Sequence, residues 1–228
     1  MDIGITYPWI KPPVAIYSES FGGPQATREA YTGVSLLWDG NHGDWTYGTD
    51  LFAGQVNLTG MTITGLAGLT GRAGWNDVIT LQATYYSGEM KTDPAGALAI
   101  LNNNTHDAVL FGAKADWHNL VAYYEWADVE MDVTGRPGDS ESWYATLGYR
   151  FGAWLPHVTV QNWERSNLNG HDITTIGVAY TLAPSIVIKA ETGKIKTDNV
   201  ATGESGLFDS TPGDDSTRLS SVAVDLVF

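Results

Sequence analysis

The chain has 228 residues, enough for one domain, and sets 26 acids against 12 Lys and Arg for a formal charge of −14. That balance excludes nucleic acid as a partner, because phosphate neutralisation needs a basic surface. The absence of cysteine excludes disulfides and thiol chemistry, and no run of about 18 apolar residues is present to cross a bilayer as a helix.

The opening Met1-Asp2-Ile3-Gly4 has neither a basic start nor a long apolar core. The chain is therefore expected to begin at a mature end or to be a piece of a longer one. Residues 1–30 form a segment rich in Pro and aromatics, with Tyr7-Pro8-Trp9-Ile10-Lys11-Pro12-Pro13 at its centre. Its prolines suit a membrane strand poorly. It fits a plug folded into an interior, a crossing of one mouth, or, over 13–19, a weak first strand. Its aromatics resemble a sugar-stacking surface, with simple packing the favoured role.

From Tyr31 onward the apolar residues recur at period two and never hold a period of 3.6. The pattern predicts strands at 31–39, 44–54, 64–75, 77–90, 107–117, 119–131, 141–152, 156–166, 171–182, 184–196 and 217–228, which with 13–19 makes twelve. Short connections are expected at Gly40–Gly43, Asn76, His118, Ala153–Leu155 and Ala183, and longer ones around 20–30, 55–63, 91–106, 132–140 and 197–216; the link at 167–170 is short where a long one is due. Such alternation is that of an up-and-down antiparallel barrel with tight turns at one end and loops at the other. With both termini at the tight-turn end, the strand number must be even.

Through the middle of each strand one face is free of charge. In 77–90, Ile79, Leu81, Ala83 and Tyr85 alternate with Thr80, Gln82, Thr84 and Tyr86; in 184–196, Ile186, Ile188 and Ala190 alternate with Lys189 and Glu191. Trp38, Trp45, Trp75, Trp117 and Trp154 flank the tight turns, while Trp126, Trp143 and Trp163 lie toward the opposite strand ends. Indole favours membrane interfaces, being an apolar plate with one polar N–H. Two aromatic bands around an uncharged face imply apolar-out and polar-in, the reverse of a soluble barrel. The polar face would then carry Asp50, Asp116, Glu125, Glu191 and Asp225 against Arg72, Lys114, Arg150, Arg165 and Lys189, as mixed rings or as paired contacts.

The last ten residues, Leu219 to Phe228, place Val222, Val224, Leu226 and Phe228 on one face of a strand. A chain ending in this way resembles the closing strand of bacterial outer-membrane β-barrels. The resemblance implies that Val224, Leu226 and Phe228 form the signal read by the barrel-assembly machinery. The segment Tyr7-Pro8-Trp9-Ile10-Lys11-Pro12-Pro13, followed by Tyr17, is similar to one in porin-like proteins of marine and other gammaproteobacteria, grouped loosely with the phosphate-selective porin type. Members are usually longer, with about sixteen strands, and the motif falls well inside them. This chain is then a shortened relative with a closed twelve-strand barrel, or the C-terminal part of a larger one.

These readings converge on a single all-β domain over 1–228: a transmembrane antiparallel up-and-down β-barrel of about 12 strands in the bacterial outer membrane. The expected function is passive diffusion of ions and small hydrophilic solutes. The expected partners are the lipid bilayer with its lipopolysaccharide and those solutes; homo-oligomer formation is left open. No cofactor is expected. The acidic loops, with Asp198, Glu204, Asp209, Asp214 and Asp215 in one and Asp128, Glu130, Asp132, Asp139 and Glu141 in another, concentrate cations at the mouth and imply a mild cation preference. Asp209 with Asp214 and Asp215 has oxygen ligands for a divalent ion, but such a run is more often a solvated loop, and no metal site is assigned. The histidines His42, His106, His118, His157 and His171 sit mostly at turns or loop edges and in no catalytic motif, so no enzyme is expected. A plugged barrel that contacts lipopolysaccharide through divalent ions and a soluble ligand-binding barrel are the other readings.

Overall fold

The computed structural model describes residues 7–10, 31–58, 60–96, 98–133, 139–165, 170–198 and 213–226, with the side chains of Leu58 and Arg165 left aside. Eleven strands follow one another in these residues: β1 (Thr32–His42), β2 (Trp45–Leu58), β3 (Met61–Trp75), β4 (Ile79–Thr92), β5 (Thr105–Trp117), β6 (Leu120–Met131), β7 (Ser140–Tyr149), β8 (Trp154–Arg165), β9 (Gly170–Ala183), β10 (Ile186–Thr197) and β11 (Ser216–Leu226). They form one sheet in sequence order, each strand antiparallel to the next. Among the described residues the remaining regular element is a 3-10 turn at Ala99–Leu101. No described helix is long and apolar enough to cross a membrane, which says nothing of strands. The strand expected at 13–19 and the closing Phe228 lie outside the described residues.

Strand lengths run from 10 residues in β7 to 15 in β3. About 9–11 tilted residues span a bilayer, so every strand is long enough. The tight turns use the left-handed backbone: Gly43, Gly152 and the non-glycine residues Asn76, Asp77 and His118 all have φ between 50° and 61°. Asn and Asp tolerate that region because their short polar side chains bond locally.

One expected loop is absent. Only two residues separate Leu58 of β2 from Met61 of β3, and Gly60 takes φ 81° there. The region 55–63 reads as a loop in sequence because its period breaks. The structure shows why: β2–β3 pairing shifts between Gly54 and Val56, and β3–β4 pairing shifts between Thr64 and Ala67, where Gly65 takes φ 62°. This bulge reverses which parity faces inward. Met61 and Ile63 before it and Leu66 after it all point to the same side, where they pack with Val56, Met90, Ala108, Val129 and Met131.

The two faces of the sheet differ as the alternation predicts. Leu51, Leu69, Leu81, Tyr85, Leu147, Ile176 and Val222 stand exposed on one face. The other face, called inner below, holds the buried side chains, polar as well as apolar: Tyr144, Thr146, His157, Thr159, Gln161 and Lys189 among them.

Candidate functional site on the inner face

The register brings the expected charges to this inner face. Arg72 stands opposite Gln82 and Gly48, and Glu125 stands opposite Gly112 and Tyr144. Asp116 begins a rung that continues through Val121, Gly148, His157, Gly177, Glu191 and Ser221. Lys189 and Asp225 occupy inward positions on β10 and β11. The side chain of Arg165 is outside the described part.

Most of these charges are paired. Arg150 donates two bonds to Asp116, at 2.6 and 2.7 Å. Arg72 bonds Asp39 at 3.1 Å, and Lys189 pairs with Asp225 at 2.9 Å. Glu191 lies 3.2 Å from His157 Nε2. Two of the pairs join strands that are not neighbours, and each reaches across a glycine on the strand between. A Cβ on Gly177 would lie 2.6 Å from both His157 and Glu191, and a Cβ on Gly48 would collide with Asp39 and crowd Arg72. Absence of a side chain at these two positions is what lets the partners meet.

Asp50, Lys114 and Glu125 make no ion pair among the described residues. Tyr144 hydrogen-bonds Glu125, whose Oε2 is buried and without a partner. Beside it lies a recess of about 260 Å³ lined by Gln82, Thr84, Lys114, Glu125, Tyr144 and Tyr7.

Tyr7 belongs to the segment Tyr7–Ile10, which sits against the inner face. Trp9 is 5% exposed; its ring stacks on Tyr7 at 4.7 Å and meets Tyr123 and Tyr144 edge-on at 5.2 and 5.3 Å. Lys189 Nζ donates to the Trp9 carbonyl at 3.0 Å, and the Ile10 N–H donates to Glu191 Oε1 at 2.7 Å. Burial, with the Glu125 carboxylate adding to it, holds the Tyr7 phenol above its ordinary pKa, so the ring presents a neutral hydroxyl.

The aromatic expectations divide. Trp38, Trp45, Trp75, Trp117 and Trp154 are all exposed on the outward face beside the tight turns. Trp126 and Trp143 stand directly opposite each other toward the other end, and Trp126 Nε1 donates to Glu141 at 2.8 Å. Trp163 does not join them. It is 2% exposed, faces inward and stacks on His171 at 5.2 Å. Its position near a strand end suggested a band, but its parity within β8 puts it on the buried face.

The histidines also differ from expectation. His42 and His118 lie at turns, whereas His106, His157 and His171 are buried on the inner face. Tyr86 stacks on His106 at 5.6 Å. The signal was available in sequence, since each of these three shares the parity of the polar face in its strand. Of the C-terminal residues, Val224 and Leu226 are exposed on the outward face. Of the loop acids, Glu204 and Asp209 lie outside the described residues.

A one-layer sheet with an apolar exposed side and a charged, hydrogen-bonded buried side defines the class of membrane-embedded up-and-down β-proteins. The chain belongs to the Gram-negative porin family, whose match covers residues 14–200, and its place is the bacterial outer membrane. Among solved structures it is similar in fold to the anion-selective porin from Comamonas acidovorans, with TM-score 0.60 at 12% identity over 85% of this chain and 59% of that one. OmpT of Vibrio cholerae, expressed in the outer membrane, gives TM-score 0.61 at 12% identity over 97% and 71% of the two chains. A trimer form of in-vitro folded OmpT gives 0.53 at 12% identity over 85% and 62%. The chain thus spans about six-tenths of the length of the Comamonas porin. No curated protein matches it in sequence.

Proposed function

We propose that this chain forms the wall of a passive outer-membrane channel for ions and small hydrophilic solutes, with a mild cation preference. The observation that carries the reading is the inversion of the sheet: exposed Leu, Val, Ile and Trp on one side, charged and hydrogen-bonded side chains on the other. A soluble sheet exposes its charge. A sheet that hides charge on one side and exposes hydrocarbon on the other suits lipid outside and water within. Porin family membership and the absence of a catalytic motif support transport over catalysis.

Strand direction limits how such a wall can close. β1 and β11 are both odd in an antiparallel series, so they run parallel and cannot close the wall in an antiparallel manner. An odd number of further strands between them restores the alternation. One strand before Thr32 makes the twelve-strand barrel; a larger odd number suits a longer parent chain. The Trp residues of the outward face serve as interface girdles, and Val224, Leu226 and Phe228 as the assembly signal. The trimer form of OmpT supports homo-oligomer formation as a reading for this chain.

The described inward side chains set six carboxylates (Asp39, Asp50, Asp116, Glu125, Glu191 and Asp225) against four bases (Arg72, Lys114, Arg150 and Lys189). That excess supports cation preference. The test is reversal potential in a planar bilayer under a KCl gradient. A cation-side potential supports the charge argument; an anion-side potential, the habit named for the Comamonas porin, rejects it while keeping the channel.

A second reading has its own observation. Asp128, Glu141 and Glu164 stand directly opposite one another on β6, β7 and β8, on the outward face beyond the Trp126–Trp143 pair. Like charges in register repel. At the level of lipopolysaccharide headgroups, divalent ions bridging them to phosphate would relieve that repulsion. Bound magnesium lost on Glu141→Gln, with conductance absent in both proteins, favours this surface role over the channel.

A further inference from the structure

Gly112 leaves a gap in the inner face. It stands opposite Gln82 of β4 on one side and Glu125 of β6 on the other. A Cβ built on it would meet nothing nearer than Glu125 Cγ at 3.7 Å, so packing does not demand the missing side chain. The space it leaves opens into the recess of about 260 Å³. Two opposite charges border that recess. Glu125 accepts a hydrogen bond from Tyr144 and keeps Oε2 buried without a partner. Lys114 follows Gly112 on the same face of β5, opposite Tyr123, and is half-buried. It makes no ion pair or hydrogen bond among the described residues, and the neighbouring carboxylate, Asp116, is already taken by Arg150 through two bonds. Lys114 and Glu125 are thus diagonal neighbours across the β5–β6 ladder, a relation that sets Cβ atoms about 7–8 Å apart or somewhat less. They line one recess and do not close into a salt bridge.

We propose that this recess is a binding site for a small zwitterion of the α-amino acid class, its ammonium on Glu125 and its carboxylate on Lys114. A buried carboxylate oxygen without a donor is costly, and a ligand that supplies the donor recovers that cost. A simple cation would satisfy Glu125 but leave Lys114 unmatched; a simple anion would satisfy Lys114 and face Glu125. A molecule carrying both charges on one carbon answers both groups at once. Gln82 adds an uncharged amide at the recess wall, and Gly112 at the floor leaves room for the ligand's own side chain. The site names a solute class for the channel reading above and rests on that reading only for the solute's route to the recess.

The test uses the full 228-residue chain refolded in detergent, with heat-modifiable gel mobility as the folding control. Equilibrium dialysis against labelled L-alanine reads binding. Propionate, ethylammonium and propanamide, each lacking one or both charges, are the competitors, and this series needs no variant. Saturable binding of L-alanine is expected, with every competitor at least tenfold weaker, since each loses a charge-assisted hydrogen bond. Glu125→Gln and Lys114→Met should each weaken binding at least tenfold, and Gly112→Leu, which fills the recess from its floor, should remove it. No saturable binding by the folded native chain overturns the site. So does propionate or ethylammonium that competes as well as L-alanine, or undiminished binding by folded Glu125→Gln and Lys114→Met. Planar-bilayer conductance recorded in parallel keeps the two readings apart. Binding without conductance retains the site and rejects the channel; conductance without binding retains the channel and rejects the site.

Discussion

Gly177 shows how a missing side chain organises charge. His157 on β8 and Glu191 on β10 meet above it, and a methyl group there would sit 2.6 Å from each. Gly177→Ala gains about 0.4–1 kcal/mol from the stiffer unfolded chain, but only where the site accepts a Cβ without strain. Here the clash wins, and a net loss of about 1–3 kcal/mol is expected from overpacking. Urea-gradient unfolding in detergent micelles reads it; a variant as stable as the native protein would mean that the pair is not seated over Gly177. Lys189 makes the complementary case. Its side chain is 1% exposed and its ammonium serves both Asp225 and the Trp9 carbonyl. Asp225→Asn leaves a buried ammonium without its counter-charge and should cost about 3–5 kcal/mol, whereas replacing both, as Lys189→Met with Asp225→Leu, should cost much less. A double-mutant cycle of thermal unfolding separates the two; a double variant no more stable than Asp225→Asn would contradict the argument. Lys189, Glu191 and Asp225 were legible as inward charges from alternation. Their partners were not, because Trp9 and His157 are brought to them by register and chain path rather than by spacing.

At the scale of the element, strands were readable wherever period two ran unbroken, and misread where a bulge broke it. Residues 55–63 look like a loop because pairing shifts on both sides of the β2–β3 turn, between Gly54 and Val56 and between Thr64 and Ala67, where Gly65 resets the parity of β3. The same reset directs Met61, Ile63 and Leu66 to one side and creates an apolar inner cluster that strict alternation would have split between two faces. Trp163 illustrates the limit of reading by position along a strand: proximity to an end implied a band, and parity decided otherwise. The acidic row on β6, β7 and β8 is a property of neighbouring elements, invisible until Asp128, Glu141 and Glu164 are seen side by side. Without a bound cation, Glu141→Gln should raise stability by about 0.2–1 kcal/mol through lost repulsion. The gain should shrink in millimolar magnesium. A gain unchanged by magnesium would place the row outside any divalent bridge.

For the molecule as a whole, the outward face must meet lipid. Leu69 lies near the middle of β3 and is 46% exposed. Leu69→Arg should lower folding stability in bilayers by about 2–4 kcal/mol, with a far smaller effect from the same change near a strand end. Equal effects at both depths would reject a bilayer-embedded sheet. Ion choice also belongs to this scale, because it sums over the inner face. Asp116 is tied to Arg150 by two bonds, so Asp50 and Glu125 carry more of the free negative charge. Asp50→Asn with Glu125→Gln should move the reversal potential toward the anion side. Adding Asp116→Asn, which frees Arg150, should move it further. An unmoved potential removes these residues from the filter.

Alternating hydrophobicity was enough to establish an all-β, up-and-down, apolar-out sheet and most strand limits, because a strand's two faces are written directly into every second residue. Strand parity, and with it the inward position of the nine described residues among the ten expected charges, came from the same local rule. Tertiary structure alone decided which of those charges are quenched in pairs and which stay open, since pairing across β2 or β9 depends on register between strands far apart in sequence. It also decided the fate of the Tyr7–Ile10 segment. Its prolines ruled out a good strand, but only packing on Tyr123 and Tyr144 and the grip of Lys189 and Glu191 seat it against the inner face. Burial of an aromatic surface is non-directional, so composition favours hiding Trp9 without saying where.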